Sequence, residues 1–156
     1  MKTLISIFLL FITFGINAQS FNRISKQVCR CNSVSSSKNY FHKIRIKLKK
    51  TEEAKAILSS NKYYIVEYFD IQDGGYYGEI WDEKSDISYT YINKTLSFTK
   101  EKSIPQKIKD SIMNWDKEEI IRESMQVKIS PQNTIYVSKV NVSTKNIECF
   151  SFNQFF

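Results

Sequence analysis

The chain has few of the residues on which catalytic and phosphate-binding motifs depend. Its 156 residues include one histidine, four glycines and two prolines. A nucleophilic serine or cysteine needs a nearby base, and His42 is the only imidazole that could serve. The pair Gly74-Gly75 fits a hairpin turn better than a glycine-rich phosphate loop. The sequence therefore carries no signature of nucleophilic catalysis or of nucleotide binding.

Cysteine is also scarce, which argues against a metal centre. Cys29, Cys31 and Cys149, together with one histidine, do not have the spacing of a zinc site. We predict no metal and no cofactor. In an exported chain the expected use of cysteine is a disulfide. Cys29 and Cys31 are too close in sequence to bridge each other without strain, so Cys149 is predicted to pair with Cys29 or with Cys31.

Arginine is rare although the chain is basic. There are 23 lysines and arginines against 16 acidic residues, and only four of the cations are arginine. Nucleic-acid binders usually concentrate charge and use arginine to contact phosphates and bases. Since lysines occur along the whole chain, the composition favours a lysine-solvated surface over a nucleic-acid interface. Electrostatic contact with anionic envelope surfaces is the alternative partner.

Long apolar runs are missing except at the start of the chain. One lysine precedes the apolar run Leu4–Phe14, and Gly15-Ile16-Asn17-Ala18 follows it. This is the pattern of a secretory signal peptide over residues 1–18, and the run is too short to span a bilayer comfortably. A retained anchor is the alternative. The remaining residues, 19–156, are enough for one domain, and the protein is predicted to be secreted or periplasmic, with no transmembrane segment after cleavage.

Aromatic residues concentrate between Tyr63 and Lys100, and the rest of the domain is organised around this stretch. Its four short alternating runs are separated by three turn signals, which predicts an antiparallel four-stranded meander. Alternate residues point to opposite faces of a sheet. One predicted face is the core: Tyr63, Ile65, Phe69, Ile71, Tyr76, Ile80, Ile87, Tyr89, Tyr91, Leu96 and Phe98. With a four-residue second turn, Tyr91 is expected to cover Gly78.

The flanking segments predict further strands and helices. Clean alternation over Tyr40–Lys49 predicts a strand with Arg45 and the lysines outward, and His42 partly buried on its Ile44 side. Thr51 is predicted to begin a helix. A capping box at Ser103 begins another helix, with a break near Asn114–Asp116. Two β-rich runs at the end predict a hairpin. Together they predict a single α+β domain with one or two helices packed on one sheet face.

The second meander face carries more aromatic area than a solvent face needs. We predict that it binds a ligand, so that the protein is an exported binding or inhibitory module for an unidentified protein, peptide or glycan. The alternative is that another segment folds over this face. The predicted binding residues are Tyr64, Tyr68, Asp70, Tyr77, Glu79, Trp81 and Thr90. The rival function is a hydrolase of envelope glycan or a similar polymer, using Asp70 and Glu79 as neighbouring carboxylates on adjacent strands.

The first test concerns cleavage of the predicted signal peptide. Expression in a secretion-competent host should yield a chain that starts at Gln19, because the small residue Ala18 precedes the predicted cleavage point. Intact mass and N-terminal sequencing of secreted material measure this. Secreted protein that retains Met1 would contradict the prediction.

Overall fold

The computed structural model describes residues 21–32, 40–99, 104–127 and 134–153. These ranges contain five helices and six strands: α1 (residues 21–31), α2 (Tyr40–Leu48), α3 (Glu52–Leu58), β1 (Lys62–Asp70), β2 (Gly75–Trp81), β3 (Asp86–Ile92), β4 (Thr95–Thr99), α4 (Gln106–Asn114), α5 (Lys117–Gln126), β5 (Thr134–Asn141) and β6 (Asn146–Asn153). The predicted signal peptide and Ser103 lie outside the described residues. No helix within those ranges has the length and apolarity needed to cross a membrane.

The strands form one antiparallel sheet in the order β4-β3-β2-β1-β5-β6. The predicted meander is β1 to β4, and the predicted C-terminal hairpin is β5 and β6. The hairpin joins the sheet by pairing β5 with β1, with Val66 opposite Val137. The α+β class is therefore confirmed, and β1 lies inside the sheet rather than at its edge.

The division of the meander into two faces is also confirmed, with a shift in register at each of the first two turns. Tyr63, Ile65, Ile80 and Tyr89 are buried together on the predicted core face. Gly78 lies opposite Tyr89 rather than Tyr91, and a Cβ at Gly78 would overlap the Tyr89 ring. The predicted pairing was off by two residues, which leaves every side chain on its own face.

Asp82 explains the shift at the second turn, because it makes that turn shorter than predicted. Its carboxylate accepts hydrogen bonds from the backbone N–H groups of Lys84 (2.8 Å) and Ser85 (2.9 Å). Its own N–H donates to the carbonyl of Ser85 at 3.0 Å. The hairpin therefore closes on Asp82 and Ser85, and Trp81 pairs with Asp86. Ile71, which was also assigned to the core, is 73% exposed at the first turn.

The predicted strand over Tyr40–Lys49 is wrong, since this segment forms α2. Its buried residues are Phe41, Ile44, Arg45 and Leu48, at helical spacing. Ile44 and Leu48, four residues apart, fit both the strand period of two and the helical spacing of four, so the short segment was open to either assignment. As a helix, α2 buries Arg45 instead of exposing it.

The fold has one layer more than the sequence predicted. Helices α1 to α3 pack on the first sheet face, where Ile24, Ile44 and Ile57 meet Tyr63 and Val140. The segment leading into α4, with α4 and α5, covers part of the second face through Ile104, Ile108, Ile112 and Ile120. The sheet is thus the middle of three layers.

The predicted start at Thr51 and the predicted break near residues 114–116 agree with the structure, whereas α4 begins at Gln106, after an N-cap at Pro105 that has no side-chain cap, rather than at Ser103. The Thr51 side chain caps α3 by accepting from the N–H of Ala54 at 3.4 Å. Trp115 adopts a left-handed backbone, with φ of 61°, and ends α4. Asp116 then caps α5 by accepting from the N–H of Glu119 at 3.1 Å. These two residues produce the predicted break between the helices.

Cys31 and Cys149 form a disulfide, one of the two pairings that the sequence left open. It joins the end of α1 to β6 across 118 residues of chain. Close to this link, the Asn32 side chain donates to the Ser138 hydroxyl on β5 at 2.7 Å. Cys29 is buried and accepts a hydrogen bond from Arg45. The first helix is therefore attached to the sheet both covalently and through buried polar groups.

A buried cluster around Arg45 connects α1, α2 and two strands; we call Arg45, Glu67, Tyr89, Ser25 and Cys29 the Arg45 cluster. Arg45 Nη1 donates to Glu67 Oε2 at 2.7 Å, and its Nε donates to the Ser25 hydroxyl at 3.0 Å. The Tyr89 hydroxyl donates to the second oxygen of Glu67 at 2.8 Å. Burial lowers the pKa of Arg45, but the Glu67 carboxylate and other neighbours outweigh this and raise it, so Arg45 stays cationic.

Removing the charge of Arg45 tests this cluster. Arg45→Met should lower the free energy of unfolding by about 3–5 kcal/mol, because Glu67 is left buried without its cation. In Arg45→Met/Glu67→Leu much of that loss should be recovered, since no buried charge remains. Urea denaturation of the oxidised protein measures both changes.

The half-buried pair Lys139–Glu148, 3.1 Å apart on β5 and β6, is the control, because both side chains stay in contact with solvent. Breaking it with Lys139→Met should cost under about 1 kcal/mol, as expected for an ion pair that water still screens. Equal losses in the two single variants, or a double variant no more stable than Arg45→Met, would refute the role of the cluster.

Candidate functional site

The structure divides the predicted binding face into a covered half and an open half. In the covered half, Tyr64 and Trp81 stack with ring centroids 5.5 Å apart and planes 19° apart. They are only 2% and 3% exposed because Ile108 and Ile112 of α4 pack over them. The prediction of an open surface is therefore wrong for these two rings, and the alternative of a covering segment applies to them.

Glu79 is also part of the covered half, at 1% exposure. Its carboxylate forms an ion pair with Lys109 of α4 and accepts from the N–H of Ile104 at 3.1 Å. Lys109 also contacts Asp86 at 2.9 Å, and its ammonium lies 5.5 Å from the centre of the Trp81 ring. Glu79 thus holds the α4 segment to the sheet.

The register separates the two carboxylates of the hydrolase alternative. Asp70 lies opposite Gly75, whereas Glu79 lies opposite Val66, four positions away along β1. At about 3.3 Å per residue this is roughly 13 Å, beyond the spacing that paired-carboxylate hydrolysis uses. The expectation that they lie close together is wrong, because the first turn spans residues 71–74 and pairs Asp70 directly with Gly75, which places Glu79 further along β1.

In the open half, Tyr68 and Tyr77 stand side by side. They are cross-strand partners with ring centroids 5.2 Å apart and planes 8° apart, and both are half-buried. Tyr77 is opposite Thr90, and Thr90 is opposite Ser97. These four residues form one row across strands β1 to β4. The row has two large rings on β1 and β2 and two small hydroxyl side chains on β3 and β4. We call these four residues the tyrosine notch.

The tyrosine notch has a wall and a floor. One face of the Tyr77 ring lies against Tyr68, so its other face is turned toward the neighbouring strand with Thr90. Thr90 and Ser97 form a hydrogen bond of 2.6 Å between their hydroxyl groups. A ligand on this floor would meet an aromatic face on one side and hydroxyl groups beneath it.

Two carboxylates lie at the end of the notch: Asp70 is the last residue of β1, and Asp73 is in the first turn. Asp73 accepts from the Tyr77 hydroxyl and from the N–H of Gly75, the latter at 2.7 Å. Asp70 accepts from the N–H of Gln72 at 2.8 Å. Each carboxylate has acceptor capacity beyond these bonds. The notch therefore has an acidic rim suited to hydroxyl or cationic donors.

The tyrosine hydroxyls remain protonated over a wide pH range. Burial, followed by the nearby Asp70 and Asp73 carboxylates, raises the pKa of Tyr68 to about 12. Burial and the hydrogen bond to Asp73 also raise the pKa of Tyr77. The Tyr68 hydroxyl can therefore act as a neutral donor toward a ligand, whereas the Tyr77 hydroxyl already donates its one proton to Asp73.

Of the residues of the notch and its rim, sequence reasoning did not name Ser97 and Asp73 as binding residues. Ser97 alternates onto the same face as Thr90, so parity could have identified it. Asp73 lies in a turn, where side-chain direction does not follow strand alternation.

Other reactive groups in the described ranges are buried or dispersed. His42 Nδ1 is 3.0 Å from the Ser25 hydroxyl, but Ser25 is 1% exposed inside the Arg45 cluster. His42 is half-buried, as predicted, although on a helix. Across the same ranges, no group of three or more histidine, cysteine, aspartate or glutamate side chains could hold a metal ion.

The pKa of Tyr68 gives a test of the geometry. A tyrosine-selective NMR titration should place its midpoint near pH 12, above the ordinary value of 10.0. Because the pKa of Tyr68 is higher in the folded state, its protonated hydroxyl contributes to the free energy of unfolding. That contribution is fully present below pH 10 and is lost as the pH rises toward 12. Tyr68→Phe assigns the resonance; a midpoint near 10 would show that the ring is freely solvated.

The tyrosine notch combines an aromatic wall, a hydroxyl floor and acidic acceptors at one end. Comparison of the chain with protein-family models, with curated proteins and with solved structures found no match. The notch is the part of the predicted surface that α4 leaves open.

Proposed function

We propose that this protein is an exported, non-enzymatic binding or inhibitory module that holds its ligand in the tyrosine notch. The observation that carries the proposal is the half-buried pair Tyr68 and Tyr77, stacked beside a floor of small hydroxyl side chains. Tyrosine offers a large contact area with a polar tip at low entropic cost, and it is enriched where proteins bind partners.

The placement of the rings supports binding over packing. The covered half of the same face already has its own aromatic pair, Tyr64 and Trp81, beneath α4. Tyr68 and Tyr77 keep part of their surface in water, and Asp70 and Asp73 lie beside them. A ligand that covers the rings would remove apolar area from water and supply donors to the carboxylates.

The chemistry of the notch favours a glycan as ligand. The free face of Tyr77 can stack on an apolar sugar face, while Thr90, Ser97 and the carboxylates can exchange hydrogen bonds with sugar hydroxyls. A peptide with basic side chains is the second class that the acidic rim would accept. The predicted export would bring the module to envelope or extracellular polymers.

Ligand titration tests the proposal. Amide chemical shifts of the oxidised protein are followed while soluble oligosaccharides, and separately short basic peptides, are added. Shifts should concentrate at Tyr68, Tyr77, Thr90 and Ser97. Tyr77→Ala should weaken binding about tenfold or more, because it removes the wall that the ligand stacks on.

Tyr40→Ala is the matched control, since Tyr40 is 44% exposed on α2 at the other face of the sheet. It should leave ligand affinity unchanged. Trp81→Ala, in contrast, should lower the melting temperature strongly because Trp81 is core. Shifts that map away from the notch, no binding by either ligand class, or equal losses for Tyr77→Ala and Tyr40→Ala would refute the proposal.

A further inference from the structure

The charge of the chain is divided unevenly along the sequence. Residues 19–51, which follow the predicted signal peptide, contain nine lysines and arginines and no acidic residue. From Glu52 onward there are thirteen cations and sixteen carboxylates, a net charge of −3. Lysines occur along the whole chain, but the excess positive charge belongs to the segment that forms α1 and α2.

Helix α1 presents its cations on one side. Arg23, Lys26 and Arg30 are exposed, at helical spacings of three and four. The buried residues of α1, among them Ile24 and Val28, lie on the opposite side against the sheet. The outer surface of α1 is therefore cationic.

Helix α2 repeats the arrangement. Its exposed cations are Lys43, Lys47 and Lys50, at spacings of four and three. Lys50 lies two residues beyond the end of the helix. Ile44 and Leu48 face the core. This orientation follows from burial of Arg45, which fixes the rotation of the helix about its axis.

The two helices lie side by side and antiparallel, so their cations share one surface. The ammonium of Lys49 near the end of α2 lies 4.2 Å from the centre of the Phe21 ring at the start of α1. Further along, Arg45 bonds to Ser25 and Cys29. Lys26 is close enough to His42 to lower its pKa, after burial and Arg45. We call Arg23, Lys26, Arg30, Lys43, Lys47 and Lys50 the cationic face.

Within the described residues, no carboxylate forms an ion pair with any of these six side chains. Lys47 donates to the Tyr91 hydroxyl at 3.0 Å, which leaves its charge in place. Elsewhere on the surface, cations such as Lys55, Lys107 and Arg122 do contact carboxylates. The nearest acidic residues in sequence, Glu52 and Glu53, border the face at the start of α3.

We propose that the cationic face docks on a lipid bilayer that carries anionic headgroups. Six like charges without carboxylate partners form a field that attracts a surface of opposite charge. Each lysine or arginine near an anionic bilayer strengthens binding about fivefold. Two helices packed flat on a sheet form a broad surface, which matches a plane. They do not project a single helix, as reading a nucleic-acid groove requires.

The cationic face and the tyrosine notch lie on opposite sides of the sheet. A protein attached to a bilayer by α1 and α2 would turn its second face outward, toward ligands in solution. Docking is independent of the notch, since it needs only the exposed cations. Burial of Arg45 holds α2 in the rotation about its axis that turns Lys43 and Lys47 outward.

Vesicle co-sedimentation tests the docking. The oxidised protein is mixed with vesicles of equal parts phosphatidylglycerol and phosphatidylcholine, and with vesicles of phosphatidylcholine alone. Binding should require phosphatidylglycerol and weaken as salt is added. Lys26→Gln/Lys43→Gln/Lys47→Gln should lower the affinity about a hundredfold, at about fivefold per cation.

A variant with the same net charge provides the control. Lys84, Lys94 and Lys145 are exposed in turns outside the cationic face, and their triple change to glutamine should weaken binding less than threefold. Equal losses in both variants, binding to phosphatidylcholine alone, or no binding to either vesicle would refute the proposal. A further contrary result is that the protein binds duplex DNA more tightly than the anionic vesicles and loses that binding in the Lys26/Lys43/Lys47 variant. That result would overturn membrane docking and identify the cationic face as a nucleic-acid surface. Unchanged melting temperatures show that both variants fold.

Discussion

The buried guanidinium of Arg45 is the constraint on which much of this structure depends. A charge removed from water is tolerated only when neighbouring groups pair with it and satisfy its donors. Here those groups come from α1, through Ser25 and Cys29, and from β1, through Glu67. Tyr89 extends the bonding to β3. The positions of two helices and two strands are therefore fixed together, and displacing any of them would leave a buried polar group unsatisfied.

The same constraint connects the core to the surface. With Arg45 directed inward, helical geometry turns Lys43 and Lys47 outward on the opposite side of α2. On the other side of the sheet, Glu79 and Lys109 have a similar role by holding α4 over Trp81. Because α4 covers only part of that face, the tyrosine notch remains accessible. On each face of the sheet, an ion pair between a helix cation and a strand carboxylate, Arg45–Glu67 or Lys109–Glu79, positions the helix. The position of the helix then sets which side chains stay exposed.

Patterns that depend on near neighbours were readable in the sequence. Alternation identified both faces of the meander, and it survived a register shift of two residues because the period of a strand is two. Thr51 begins a helix as predicted, and the predicted break falls where Asp116 caps α5, since a cap needs only its own first turn. The strand assigned to Tyr40–Lys49 failed because a short segment can satisfy both periods, and packing on the sheet then selects the helix.

What the sequence determined by itself is the antiparallel meander, its two faces, the C-terminal hairpin and the short list of cysteine pairings. What only the tertiary structure decided is which aromatic residues stay in contact with water. Tyr64, Tyr68, Tyr77 and Trp81 share one face and similar local sequence, yet α4 buries Tyr64 and Trp81 and leaves Tyr68 and Tyr77 partly open. Strand alternation gives the direction of a side chain, whereas its burial depends on an element that is distant in sequence and docks on it.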